Sequence, residues 1–270
     1  MRYPAVAGRF YSSKEKALRE EIEECFRSRI GPGEIPALKP GRGSIVGAVV
    51  PHAGYMFSGP VTAHVFGAMA EDGFPETFVV IGPNHHGVGA GVAMTAEDFV
   101  TPLGKIEADR ELAKKLKGWV DEDPSAHRHE HSIEVQVPFI QYFSKKAKLL
   151  PISMAFQDFE TAKELGARLK KACEGRDVIV LASSDFSHYV PAAFAEKQDR
   201  AVIDRILALD PQGVEATVTS KGVSMCGYGP VMAMLEAVGG KTAKLLKYAT
   251  SGDVHPMSEV VGYAGIVVRR

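Results

Sequence analysis

Short apolar runs alternate along this chain with longer amphipathic stretches. Ile45-Val46-Gly47-Ala48-Val49-Val50, Phe78-Val79-Val80-Ile81 and Val178-Ile179-Val180-Leu181 are continuous apolar segments, the pattern of strands buried on both faces. Leu18, Ile22, Cys25 and Phe26 fall on one face of a helix opened by Ser12-Ser13-Lys14-Glu15 and running to about Arg29. The same reading predicts strands at 45–50, 77–82, 90–95, 148–154 and 177–183. It places helices at 60–71, 108–117, 132–143, 158–173, 192–209, 211–219 and 229–238, and closing strands near 243–249 and 260–268. Strands alternating with helices predict a mostly parallel central sheet covered on both faces, a three-layer α/β/α architecture. The breaker-rich loop from Gly31-Pro32-Gly33 to Pro40-Gly41 is no domain linker, because the strand at Ile45 follows at once; residues 1–270 are expected to form one domain.

Each of the three apolar runs empties into a polar turn that carries histidine. Their turns read Pro51-His52-Ala53-Gly54-Tyr55, Gly82-Pro83-Asn84-His85-His86 and Ala182-Ser183-Ser184-Asp185-Phe186-Ser187-His188. In an open α/β sheet, ligands bind beyond the carboxyl ends of the strands. Parallel strands deliver those ends to one edge, so the three histidine turns are expected to meet. Histidine is the commonest metal ligand and the usual proton shuttle.

Composition narrows the class. Lys and Arg number 32 against 33 Asp and Glu, for a formal net charge of -1. Such balance argues against a general affinity for nucleic acid or an anionic membrane, either of which needs a concentrated basic patch. No apolar stretch has the length of a membrane span, and the segment Met1-Arg2-Tyr3-Pro4-Ala5-Val6 lacks a secretory apolar core. Three cysteines, irregularly spaced, make no disulfide framework. A cytoplasmic protein is the expectation.

Weighing the side chains singly refines the site. His52, parked between Pro51 and Gly54, cannot pack a core stripe; the bland alternative is a turn histidine bonded to a carbonyl. His85 and His86 are adjacent and point opposite ways in extended backbone, so at most one faces the site. Asp185 beside His188 reads as an orienting bond or an acid/base pair. A Ser-His-Asp triad from Ser183, Ser184 and Ser187 is disfavoured, since one short turn would supply every member and no G-x-S-x-G elbow is present. Cys226 precedes a helix that opens with Pro230, whose positive end is expected to lower the thiol pKa; simple burial is the alternative. Cys25 and Cys173 lie on amphipathic helices as small core residues. In His127-Arg128-His129-Glu130-His131-Ser132-Ile133-Glu134, His127 and His129 read as solvated loop. Glu130, His131 and Glu134 enter a helix start capped by Ser132. His64 reads as a satisfied core histidine and His255 as a loop residue.

Taken together and in order, Pro51-His52-Ala53-Gly54-Tyr55, Gly82-Pro83-Asn84-His85-His86, Glu130-His131-Ser132-Ile133-Glu134, Ser183-Ser184-Asp185-Phe186-Ser187-His188 and Cys226-Gly227 resemble the Memo family. The resemblance runs from Ala7-Gly8 to the final strand. It implies a fold similar to the LigB-like fold of class III extradiol ring-cleaving dioxygenases, which hold non-haem iron at the mouth of an α/β sheet. Carried over by position, it implies metal ligation by His52, His85 and Cys226, with His188 and Asp185 in the same pocket. It also implies redox-active iron or copper, and a functional link to a radical SAM protein and an AMMECR1-like protein. The signalling role associated with eukaryotic members is not carried over.

Ring-cleaving dioxygenases use two histidines and a carboxylate, whereas a thiolate here favours Cu(I), Zn(II) or Fe(II) and is itself oxidisable. Extradiol cleavage therefore does not follow from the fold. The leading expectation is a metal-dependent, oxygenase-like redox protein with an unidentified substrate. One alternative is a non-catalytic module that holds a peptide or small anion in the same pocket. Another is zinc-assisted hydrolysis with His188 or His131 as general base.

Overall fold

The structure, a computed structural model, describes residues 1–39 and 41–270. Its elements in chain order are α1 (Glu15–Arg27), β1 (Ile45–Val50), α2 (Tyr55–Asp72), β2 (Thr77–Pro83), β3 (Val92–Met94), β4 (Phe99–Thr101), β5 (Gly104–Ala108), α3 (Arg110–Leu116) and β6 (Asp121–Glu122). There follow α4 (Val137–Phe143), β7 (Lys148–Met154), α5 (Phe159–Ala172), β8 (Val178–Ser183), β9 (His188–Val190), α6 (Ala192–Leu207), α7 (Pro211–Lys221), α8 (Tyr228–Val238), β10 (Thr242–Thr250) and β11 (Val260–Arg269). The main path of the sheet runs β10-β11-β1-β8-β2-β7-β3-β6.

The centre of that path, β1-β8-β2-β7, is parallel throughout. Its margins are not: β11 runs antiparallel to both β1 and β10, and β3 runs antiparallel to β7. Connection length explains the division. Parallel strands need a crossover: α2 links β1 to β2 and α5 links β7 to β8, each passing over one intervening strand. β10 and β11 are joined by a short connection and pair as an antiparallel ribbon.

Strand period divides the core in two. Val49, Val79, Ile81, Leu150, Ile152, Val180 and Ala182 point to the face covered by α3, α5, α6, α7 and α8. Their neighbours Ala48, Val50, Phe78, Val80, Leu149, Ile179 and Leu181 point to the face covered by α1, α2 and α4. Both faces are apolar because both are covered, which is why these strands read as unbroken hydrophobic runs.

Two helix starts differ from the sequence reading. Helix α2 begins at Tyr55 and carries Pro60 internally. Pro60 forfeits one backbone bond in a helix that buries Tyr55, Val61, Val65, Phe66 and Met69, so packing holds the turn that precedes it. The stretch expected as a helix from 132 opens instead as a 3-10 turn, Glu134–Gln136, and becomes α-helical at Val137. The hairpin β4/β5 and the short strands β6 and β9 carry no hydrophobic pattern long enough to be read in advance.

Candidate metal centre

β1, β8 and β2 are consecutive in the parallel centre of the sheet, so the turns that leave them crowd one edge. The fourth segment comes from the other side. Gly227, at the start of α8, lies so close to the end of β8 that a Cβ there would sit 2.4 Å from the Ser183 carbonyl oxygen. Only glycine permits that approach, and it carries Cys226 down onto the strand ends.

The result is one cluster. The ligating atoms of His52, His85 and Cys226 all lie within 4.8 Å of one another. His52 Nε2 is 3.3 Å from Cys226 Sγ, and the rings of His52 and His85 meet edge to face at 5.2 Å. His52 is buried, Cys226 partly buried and His85 on the open side. His86 points away, with its ring 6.4 Å from that of the exposed His129, as adjacent residues in an extended turn must. Burial, reinforced by the neighbouring His85 and His131, drives His52 well below the usual histidine pKa, so it is the neutral, lone-pair-bearing imidazole.

Glu130 organises the open side. It is buried, and its oxygens accept the backbone N–H groups of His85 (2.6 Å), His131 (2.8 Å) and Ser132 (2.8 Å) as well as Nδ1 of His85 (3.0 Å). A carboxylate only accepts, so His85 donates from Nδ1 and keeps the Nε2 lone pair. Burial raises the Glu130 pKa, but the His85 bond and the surrounding N–H groups outweigh it and hold the carboxyl far below its ordinary value. His85, Glu130 and His131 also form a second metal-capable group by distance. With its lone pairs committed to these donors, Glu130 serves as a brace and leaves the His52–His85–Cys226 set as the candidate ligand site.

His131 stacks on His85 with ring centroids 4.7 Å apart and meets the edge of Phe10 at 4.8 Å. Burial lowers its pKa to about 4, so it too is neutral at pH 7. The segment carrying Phe10 is strapped down by Glu134, whose carboxylate takes Arg2, the Tyr11 hydroxyl and the N–H groups of Ala5 and Val6. Arg2 reaches onward to the carbonyls of Glu130 and His127. A cleft of about 610 Å3 lies here, lined among others by Phe10, His85, His86 and His131.

Asp185 and His188 leave the end of β8. Asp185 Oδ1 accepts the His52 backbone N–H at 2.7 Å, and its own N–H points at Cys226 Sγ, 3.3 Å away. Burial pushes its pKa up to about 6 against the pull of the His52 bond. His188 is half-buried and bonds through Nδ1 to the Ser224 carbonyl at 2.8 Å, which makes Nδ1 the donor. Its field is felt at both His52 and Asp185.

Several readings of the sequence need correction. The Cys226 thiol pKa is raised, because burial and the Asp185 carboxylate outweigh the helix end; without metal it is a thiol. Ser132 does not cap a helix: its hydroxyl donates to the Pro83 carbonyl at 3.0 Å and ties the Glu130 turn to the end of β2. His127 is not solvated; it is buried, with its ring nitrogen 3.2 Å from the Ala93 carbonyl. His129 and His255 are exposed, and His64 bonds the Ile30 carbonyl at 2.9 Å, as expected. Ser183 is fully buried, which removes it as a nucleophile. Sequence reasoning missed Arg2, Tyr11, Gln136 and Ser224, whose contacts to the site elements cross 36 to 132 positions in the chain.

The chain is thus an α/β protein with a two-imidazole, one-thiol cluster at the carboxyl mouth of its parallel strands. It belongs to the Memo family: a family model described as Memo-like protein matches residues 2–267. A MEMO1 family protein of Methanopyrus kandleri is 49% identical over 100% of this chain and 99% of its own length. One from Methanothermobacter thermautotrophicus is 47% identical, covering 98% of this chain and 99% of its own. One from Methanocaldococcus jannaschii is 44% identical, with 99% of each covered. Among solved structures, an uncharacterized protein of Escherichia coli K12 shares the fold at a TM-score of 0.54 and 13% identity, over 83% of this chain and 99% of that one. Among the described residues, no helix is long and apolar enough to cross a membrane.

Proposed function

We propose that this protein is a non-haem metal protein of oxygenase-like architecture with a redox role, holding iron or copper through His52, His85 and Cys226. The observation that carries the reading is the approach of three ligating atoms, from turns far apart in the chain, to within 4.8 Å of one another. Two imidazoles and one cysteine are a donor set that suits Cu(I), Fe(II) or Zn(II). Bound there, iron or copper would supply one-electron or oxygen-directed chemistry, whereas zinc, which has no redox chemistry, would act only as a Lewis acid. The chain's own residues supply the rest: Glu130 orients His85, Asp185 braces the His52 turn, and His131 and His188 stand by as proton carriers. The cleft beside Phe10 and His131 gives a small molecule access to the open face of His85.

Anaerobic titration with Fe(II) and Cu(I) tests the assignment. Wild-type protein should bind one equivalent, and Cys226→Ser should lose affinity at least a hundredfold while its circular dichroism stays unchanged. Equal binding by both proteins removes Cys226 from the site and the proposal with it.

A further inference from the structure

Counting protons around Ser183 assigns a role to two residues that touch no ligand atom of the cluster's open side. The Ser183 hydroxyl has three neighbours: the Ser132 carbonyl oxygen at 2.7 Å, Gln136 Nε2 at 3.1 Å and His52 Nδ1 at 3.0 Å. A carbonyl cannot donate, so the single hydroxyl proton goes to Ser132. The Gln136 nitrogen also lies 2.8 Å from the Pro51 carbonyl, another pure acceptor, which fixes the amide with its NH2 toward both partners. Gln136 therefore donates to Ser183. The hydroxyl has given its proton and received one N–H, leaving one lone pair for His52, and Nδ1 must supply the proton that fills it.

We infer that Ser183 and Gln136 are positioning residues that lock His52 as the Nδ1–H tautomer and so aim its Nε2 lone pair at the space shared with Cys226. The lock is buried: Ser183, Gln136 and Ser132 are all fully inaccessible, so water cannot substitute for any of the three partners. A histidine side chain free in water prefers the opposite tautomer, with its proton on Nε2, where it would block ligation. His52 and His85 end in the same state by different means, a neutral hydroxyl relay on the closed side and the Glu130 carboxylate on the open side. The lone pair's purpose as a metal ligand rests on the function proposed above; the tautomer does not.

Long-range proton–nitrogen NMR on metal-free, 15N-histidine-labelled protein near pH 7.5 reads the tautomer directly, with His52 assigned by its loss in His52→Gln. Wild type should show a single Nδ1–H form. Ser183→Ala should move His52 toward Nε2–H and weaken zinc binding roughly ten- to a hundredfold. Ser183→Thr, which keeps the hydroxyl, should restore both, and Gln136→Leu, which removes the donor that holds the hydroxyl's orientation, should raise the Nε2–H share and weaken zinc binding, each to a smaller extent than Ser183→Ala. If Ser183→Ala does not fold, the wild-type spectrum and Gln136→Leu still decide. An Nε2–H or mixed signal in wild type overturns the inference, as does Ser183→Ala with tautomer and zinc affinity unchanged. A clean Nδ1–H signal in a protein that takes up no metal supports the lock and sinks the metal assignment instead.

Discussion

Glu130 shows how much of this site is built by a residue outside the His52–His85–Cys226 cluster. Its carboxylate gathers three backbone N–H groups and the His85 ring, and a glutamine would turn an NH2 against donors that need an acceptor. Glu130→Gln should therefore lower stability by about 2–4 kcal/mol and reduce metal affinity roughly ten- to a hundredfold, read by urea unfolding and by zinc competition. Unchanged values in both would mean that His85 is oriented by something else. The members of the cluster were legible in the sequence, because His52 and His85 follow strand-like runs and Cys226 precedes a helix. The state of Cys226 was not. A helix end argues locally for thiolate, while burial and Asp185, which decide the matter, exist only once the chain has folded. Gln136 was equally hidden, since its partner Pro51 lies 85 positions away.

Among the elements, the loop between β6 and α4 does the most unexpected work. It places Glu130 beneath His85, carries Glu134 to the strap of residues 2–11, and buries His127 against β3. Read as sequence, His127 looked solvated, because the residues that close over this segment, Arg2 above all, lie far away in the chain. The burial of His127 has a measurable consequence. Desolvation lowers its pKa to about 4, against about 6.5 in an unfolded chain. Above pH 6.5 the ring is neutral in both states and costs nothing. Between pH 6.5 and pH 4 the unfolded chain gains a proton that the folded one refuses, so stability falls as the solution is acidified, by about 3 kcal/mol in all. His127→Gln keeps a donor for the Ala93 carbonyl and does not titrate. Its unfolding free energy should fall less steeply than wild type over that pH range, and identical pH profiles would show that the ring is already accessible to protons.

At the scale of the whole molecule, topology is what turns scattered residues into a site. The order β1-β8-β2 in a parallel centre sets three histidine-bearing turns side by side, and α8 brings the sulfur to them. The alternation of strands and helices predicted this centre, but not the antiparallel margins, since a buried apolar run looks the same in either direction. X-ray absorption spectroscopy on protein purified without oxygen, with whatever metal it carries, tests the central claim most directly. The expected spectrum shows one sulfur at about 2.3 Å and imidazole nitrogens at about 2.0–2.1 Å, with the sulfur lost in Cys226→Ser. A metal bound by oxygen and nitrogen alone in the wild-type protein would contradict it.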